Sequence, residues 1–192
     1  QENGLKISTG TIVDATIISA PSSTKNRDHA RDPEMKQTKK GNAWHFGMKV
    51  HVGTDKKGLV HSLTVTDAAQ ADINQLPELL HGEEREIYGD KAYWCEPDRQ
   101  AFQEVGIRYR VNRRGHRGRP LNDYWKGINR ARSRVRARGE HGFHVVKRLW
   151  GFDKVRYRGL AKTRTRSFAA FALANLYLAR RKLLPPGARC AL

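Results

Sequence analysis

A chain of 192 residues with 38% apolar side chains has material for one folded core, and a formal net charge of +18 makes a polyanion the natural class of partner. No uninterrupted apolar run reaches the roughly 18 residues a membrane-spanning helix needs, so a spanning segment is excluded. The two cysteines, Cys95 and Cys190, lie far apart without a CxxC partner, which excludes a disulfide scaffold and a cysteine zinc site and fits a reducing cytoplasm.

Taken in chain order, residues 7–18 read as a buried strand, with Ile12, Val13, Ile17 and Ile18 around an interrupting Asp14. Residues 19–43 read as a polar loop punctuated by Pro21, Pro33 and Gly41. Residues 44–52 alternate, with Phe46, Met48, Val50 and Val52 on one face. A turn at residues 54–58 leads into a return strand over residues 59–66. Ile73, Leu76, Leu79 and Leu80 stand at helical spacing and predict a helix over residues 72–81. Ile87 and Tyr88 form a short strand that ends at Gly89-Asp90.

A helix is expected over residues 96–105, with Pro97 in its first turn, and a short strand over residues 107–111. Residues 112–123 are rich in Gly, Pro and Arg and read as a flexible loop. A helix is predicted over residues 126–150. Another, over residues 166–183, is apolar nearly all round through Phe168, Phe171, Leu173, Leu176 and Leu178. Hairpin strands followed by alternating helices and strands imply an α/β fold: a mixed five-stranded sheet with helices on both faces, the layout of the ribonuclease H-like fold. Residues 1–184 are expected to form one domain, with residues 185–192 as a short tail.

The charge is not spread evenly. Residues 1–104 carry 13 Lys/Arg against 16 Asp/Glu, whereas residues 105–192 carry 24 against 3. Within that basic half, Glu140 is the only acidic side chain between Asp123 and Asp153, surrounded by Arg130, Arg132, Arg134, Arg136, Arg138, Lys147 and Arg148. A surface made only to grip phosphates gains nothing from a carboxylate there. Asp14 in a buried strand is costly unless paired or metal-bound. Asp90 completes a set of three isolated acids. A divalent cation such as Mg²⁺ takes oxygen ligands, and two ions about 3.5–4 Å apart can hold both oxygens of an in-line phosphoryl displacement. Plainer readings stand beside this one. An aspartate after glycine is ordinary turn composition, and Glu140 has Arg136 and His144 at helical spacing as ion-pair partners.

The segments GTIVDATIISAP, QTKKGNAWHFGMKVHVGTD, LLHGEE, YGDKAY and RARGEHGFHVVKRLWGFDKVRYRGLAKTRTRSFAAFALANLYLARRKLL resemble the DDE transposases of bacterial insertion sequences, and the insertion sequence five group in particular. The resemblance runs from about residue 5 to residue 184. It implies that Asp14, Asp90 and Glu140 are the catalytic acids and the ligands of Mg²⁺ or Mn²⁺, two ions in all. The family's signature Tyr-x2-Arg-x3-Glu-x6-Lys falls on Ser133, Arg136, Glu140 and Lys147, so Ser133 stands in the place of tyrosine. Gly139 stands where an apolar residue such as valine is usual. The implied activity is metal-dependent cleavage at element ends followed by strand transfer into target DNA, by a homodimer when on DNA. The N-terminal DNA-binding region of such proteins is expected to be missing.

Arg136, Lys147, Lys49, Lys91, Arg117 and Arg119 are the expected phosphate contacts. The RGRP tetrapeptide at Arg117–Pro120 resembles an AT-hook core, but in an arginine-rich chain a non-specific phosphate clamp is the stronger reading. Trp94, four residues beyond Asp90, is the tryptophan best placed to lie near the site. Two other classes fit the same chain: a DNA-binding protein without catalysis, and a ribonuclease H-like nuclease that cuts without joining.

Overall fold

The computed structural model describes residues 9–21, 24, 25, 27, 29–116 and 118–184. The tail and Arg117 therefore lie outside the described residues. Six strands form one mixed sheet: β1 (Gly10–Ser19), β2 (Lys36–Lys40), β3 (Ala43–Asp55), β4 (Val60–Asp67), β5 (Glu86–Tyr88) and β6 (Arg108–Tyr109). β3 runs antiparallel to β1 along one edge and to both β2 and β4 along the other. β5 pairs in parallel with β1, and β6 in parallel with β5.

The sheet thus has six strands rather than the five expected. The additional one, β2, lies in the segment expected to be a loop. Its residues KQTKK are exposed at four of five positions, so no buried face writes an alternating pattern into the sequence. Lysines on an edge strand also discourage pairing with another chain.

The sheet carries packed cores on both faces. Val13 and Ile18 have opposite parity on β1, so their side chains leave the sheet on opposite sides. Ile18 belongs to a cluster with Met48, Val50, Val52, Val145, Val146 and Phe171. Val13 belongs to a second cluster with Leu76, Leu79, Ile87, Tyr93 and Tyr109. Helix α1 (Glu96–Glu104) adds Phe102 to the second cluster. Helix α4 (Leu160–Leu183) covers the first with Phe171 and Ala174.

Two predicted helices differ from what forms. Residues 72–81 fold as two 3₁₀ turns, Asp72–Gln75 and Pro77–Leu79. Pro77 has no N–H to continue a helix started at Asp72. The single helix predicted over residues 126–150 is instead α2 (Asp123–Arg136), capped by the Asn122 side chain, then a 3₁₀ turn, the short α3 (Glu140–Phe143), and a π-helical stretch His144–Leu149. Of the apolar residues on α4, Phe168, Leu173 and Leu176 are exposed. An all-round apolar pattern does not say which side meets the sheet. Among the described residues no helix is long and apolar enough to cross a membrane.

Candidate active site

Parallel pairing brings two of the expected acids to one level. β1 and β5 are in register at Ile12 and Tyr88, and each strand places its aspartate two residues further on. Asp14 sits mid-strand opposite Val52 of β3, with Oδ1 accepting the Ala15 N–H at 2.9 Å. At Asp90 the chain has left β5, and Oδ1 accepts the Ala92 N–H at 2.7 Å, capping the 3₁₀ turn Lys91–Tyr93. The turn role expected of an aspartate after glycine is therefore present, and it engages one carboxylate oxygen.

The third acid arrives from the helical side. Gly139 is buried, and a Cβ added there would stand 2.9 Å from Ile12 Cγ2 and 3.1 Å from Thr54 Oγ1. Its lack of a side chain lets the backbone before Glu140 rest on β1, two residues from Asp14. Glycine at a position where valine is usual is thus a packing requirement. Gly139→Val is expected to lower stability by roughly 1–3 kcal/mol through overpacking and to displace Glu140. Thermal unfolding reads the first effect, and cation-dependent DNA cleavage reads the second. Ser133, in the tyrosine's place, accepts a hydrogen bond from Asn112 Nδ2 at 3.0 Å, tying α2 to the residues after β6.

Asp14, Asp90 and Glu140 all line one cavity of about 440 Å³, together with Asp72, Lys49 and Arg136. Arg136 stands between two of the acids, its guanidinium 3.9 Å from Asp14 and 4.0 Å from Glu140. The Arg136–Glu140 pair is the i, i+4 contact anticipated from spacing. Burial pushes the Asp14 carboxyl up to about 6; Arg136 and the Ala15 N–H oppose the rise, while Asp90 and Glu140 add to it. The acids therefore feel one another's charge. Among the described residues, however, no three His, Cys, Asp or Glu side chains stand close enough to share one metal ion. The donor chemistry fits a hard divalent cation, since the acids offer oxygen ligands and Asp14 bears an unfavourable buried charge. Binding would require the acids to draw together and Arg136 to move out from between them.

Sequence reasoning missed Asp72. It projects into the same cavity and pairs with Lys49 at 3.0 Å. His51 Nδ1 is 3.7 Å from the same carboxylate; burial holds this histidine down to about 4, hence neutral at pH 7. Beside them the Tyr93 hydroxyl is buried without a hydrogen-bond partner among the described residues. Burial foremost, then the charges of Asp72, Asp14 and Asp90, holds the phenol well above its ordinary range. The group forms because the 3₁₀ turn at Asp72 packs on the turn holding Tyr93, a tertiary contact with no local periodicity to announce it.

The other expected phosphate contacts are dispersed. Lys49 lines the cavity, but its ammonium is engaged by Asp72 and by the Gln70 carbonyl at 2.7 Å. Lys147 is half-buried and donates to Thr16 Oγ1 and the Ile17 carbonyl, both at 3.0 Å, so it fastens the π-helical stretch to β1; burial lowers its pKa. Lys91 and Arg119 are exposed, and Arg117 lies outside the described residues.

Asp14 thus lies on β1, Asp90 just beyond the neighbouring β5, and Glu140 at the start of the helical segment that follows Gly139. A family model described as "Transposase DDE domain" matches residues 6–176. The chain belongs to the transposase DDE domain family.

Proposed function

We propose that this chain performs the cation-dependent DNA chemistry of an insertion-sequence transposase, of the insertion sequence five group, on a ribonuclease H-like fold. The observation that carries the reading is the shared cavity of Asp14, Asp90 and Glu140. The strand arrangement supports it: an antiparallel β1–β3–β4 run joined to parallel β5 and β6.

In the proposed reaction, water attacks a phosphorus at the element end. The P–O3′ bond breaks, the 3′ oxygen takes a proton, and a 3′-hydroxyl and a 5′-phosphate result. That hydroxyl then attacks a target phosphorus, forming a new phosphodiester and releasing the target's 3′ oxygen. Asp14, Asp90 and Glu140 would hold Mg²⁺ or Mn²⁺, which supplies Lewis-acid activation of the attacking oxygen and stabilisation of the leaving one. Arg136, at the cavity wall, would turn from the acids to the scissile phosphate, and the basic half of the chain holds the DNA backbone. No nucleophilic side chain is required.

The second reading, DNA binding without catalysis, is favoured by two observations: Arg136 lies between Asp14 and Glu140, and among the described residues no three acids are gathered for a metal. A strand-transfer assay with a pre-cut 3′-hydroxyl end separates the readings. Joined product in Mg²⁺ or Mn²⁺, lost in Asp14→Asn, Asp90→Asn and Glu140→Gln, is the expected result. Cleavage without joining identifies a nuclease, and binding with neither identifies a non-catalytic protein.

Binding itself is expected to be steeply salt-dependent and largely indifferent to sequence. With a formal charge of +18, neutralising six or more phosphates would weaken affinity by about 10³-fold or more between 50 and 200 mM salt. Titrations at the two salt concentrations, on two unrelated duplexes, check this.

A further inference from the structure

Beside the acid cavity is a second cleft, of about 480 Å³, lined by arginines and aromatic rings and, among the described residues, by no acidic side chain. Its centre is a stack. The Arg113 guanidinium lies 3.8 Å from the centroid of the Trp125 ring and 5.1 Å from that of Trp94, and it makes no ion pair among the described residues. Tyr109 lies beside Trp94, their ring centroids 5.8 Å apart and the rings tilted at 44°. The rim is basic. Arg108 of β6 and Arg110 just beyond it both reach Glu86, at 2.8 and 3.1 Å, and Lys56 shares that carboxylate. One acid against three cations leaves positive charge over, and the Arg108 side chain is 62% exposed.

Two short stretches of chain link the cleft to the acid cavity. Trp94 follows Asp90 by four residues. Arg132, which lines the cleft and donates to the Val111 carbonyl at 2.6 Å, is one helical turn before Arg136. In duplex DNA the base faces are covered by their neighbours, so rings recessed in a cleft can meet only an unstacked base. A concave site with stacking surfaces inside and cations outside is the pattern that tracks single strands, and the volume suits one or two nucleotides.

We propose that this cleft holds an unpaired stretch of DNA strand next to the acid cavity, with bases against the Trp94–Arg113–Trp125 stack and phosphates on Arg108 and Arg110. The site rests on the DNA-handling part of the proposed function. It does not depend on catalysis.

The test uses the full chain in EDTA, so that no strand is cut. A labelled 12-nucleotide oligo-dT and a 12-base-pair duplex are titrated by fluorescence anisotropy, with tryptophan emission followed in parallel. Oligo-dT should quench tryptophan emission. Trp125→Leu should weaken oligo-dT binding about tenfold and duplex binding less than twofold. Should Trp125→Leu fail to fold by circular dichroism, Arg108→Ser carries the test against Arg181→Ser, which removes the same charge from exposed α4. Arg108→Ser should then weaken oligo-dT binding several-fold more than Arg181→Ser does, and duplex binding equally. Absence of quenching, or equal losses for single strand and duplex, overturns the proposal. Absence of cleavage or joining in Mg²⁺, with the single-strand preference intact, would instead overturn the catalytic reading and leave the cleft assigned.

Discussion

Asp14→Asn is expected to stabilise the metal-free protein at pH 7 and to abolish its DNA chemistry. The Asp14 carboxyl titrates at about 6 in the folded chain against an ordinary 3.8, chiefly because it is buried. A folded state that binds the proton more tightly than the unfolded one is most stable below the unfolded value. Stability therefore falls as pH rises from about 4 to about 6 and is flat above. The difference amounts to roughly 3 kcal/mol at neutral pH. Asparagine removes that cost and keeps an oxygen for the Ala15 N–H. Arg136 loses a partner, so a net gain of roughly 1–3 kcal/mol is expected, a rise in Tm of about 3–10 °C. Thermal unfolding from pH 4 to pH 8 in EDTA should show the wild-type decline largely missing from the variant. Added Mn²⁺ should raise the Tm of the wild type alone. Cleavage should fall by at least about three orders of magnitude, as expected when a group acting in the transition state is lost.

Arg136→Ala is expected to shift cation affinity and catalysis in opposite directions. With a guanidinium 3.9 Å from Asp14 and 4.0 Å from Glu140, Arg136 opposes any cation that approaches those acids. Removing it should tighten Mn²⁺ binding by about fivefold, corresponding to an interaction on the order of 1 kcal/mol at a partly exposed site. DNA cleavage at saturating Mn²⁺ should nonetheless fall about 10–100-fold, through loss of a charge-assisted phosphate contact worth roughly 1.5–3 kcal/mol. Calorimetric Mn²⁺ titration and single-turnover cleavage read the two effects separately. Weaker cation binding in the variant would mean that Arg136 organises the acids rather than competing for them.

What the sequence made legible follows from which physical signals are local. Asp14 and Glu140 stood out because each contradicts its surroundings, one in an apolar strand and one in an arginine-rich helix. Strands β1, β3 and β4 were legible through buried or alternating side chains. β2 was not, because a lysine-rich edge strand buries no face. The 3₁₀ turns around Pro77 were misread because four apolar residues kept helical spacing while the proline removed the N–H a helix needs. Helix α2 ends at Arg136, and Glu140 begins the short α3 on the far side of a 3₁₀ turn. Arg136 and Glu140 still meet across that turn, 4.0 Å apart, while Lys147 turns to β1. Asp72 and the stacked cleft were invisible for a different reason: each is assembled from segments that meet only in the folded chain.

Whether Asp14, Asp90 and Glu140 act together on a divalent cation is read most directly by anomalous scattering from crystals of the protein soaked in Mn²⁺. Manganese is expected in the cavity, bound by Asp14 and Asp90 with Glu140 drawn toward it and Arg136 displaced. Manganese absent from that cavity, or held there by other side chains with Asp14 still paired to Arg136, would contradict that joint action.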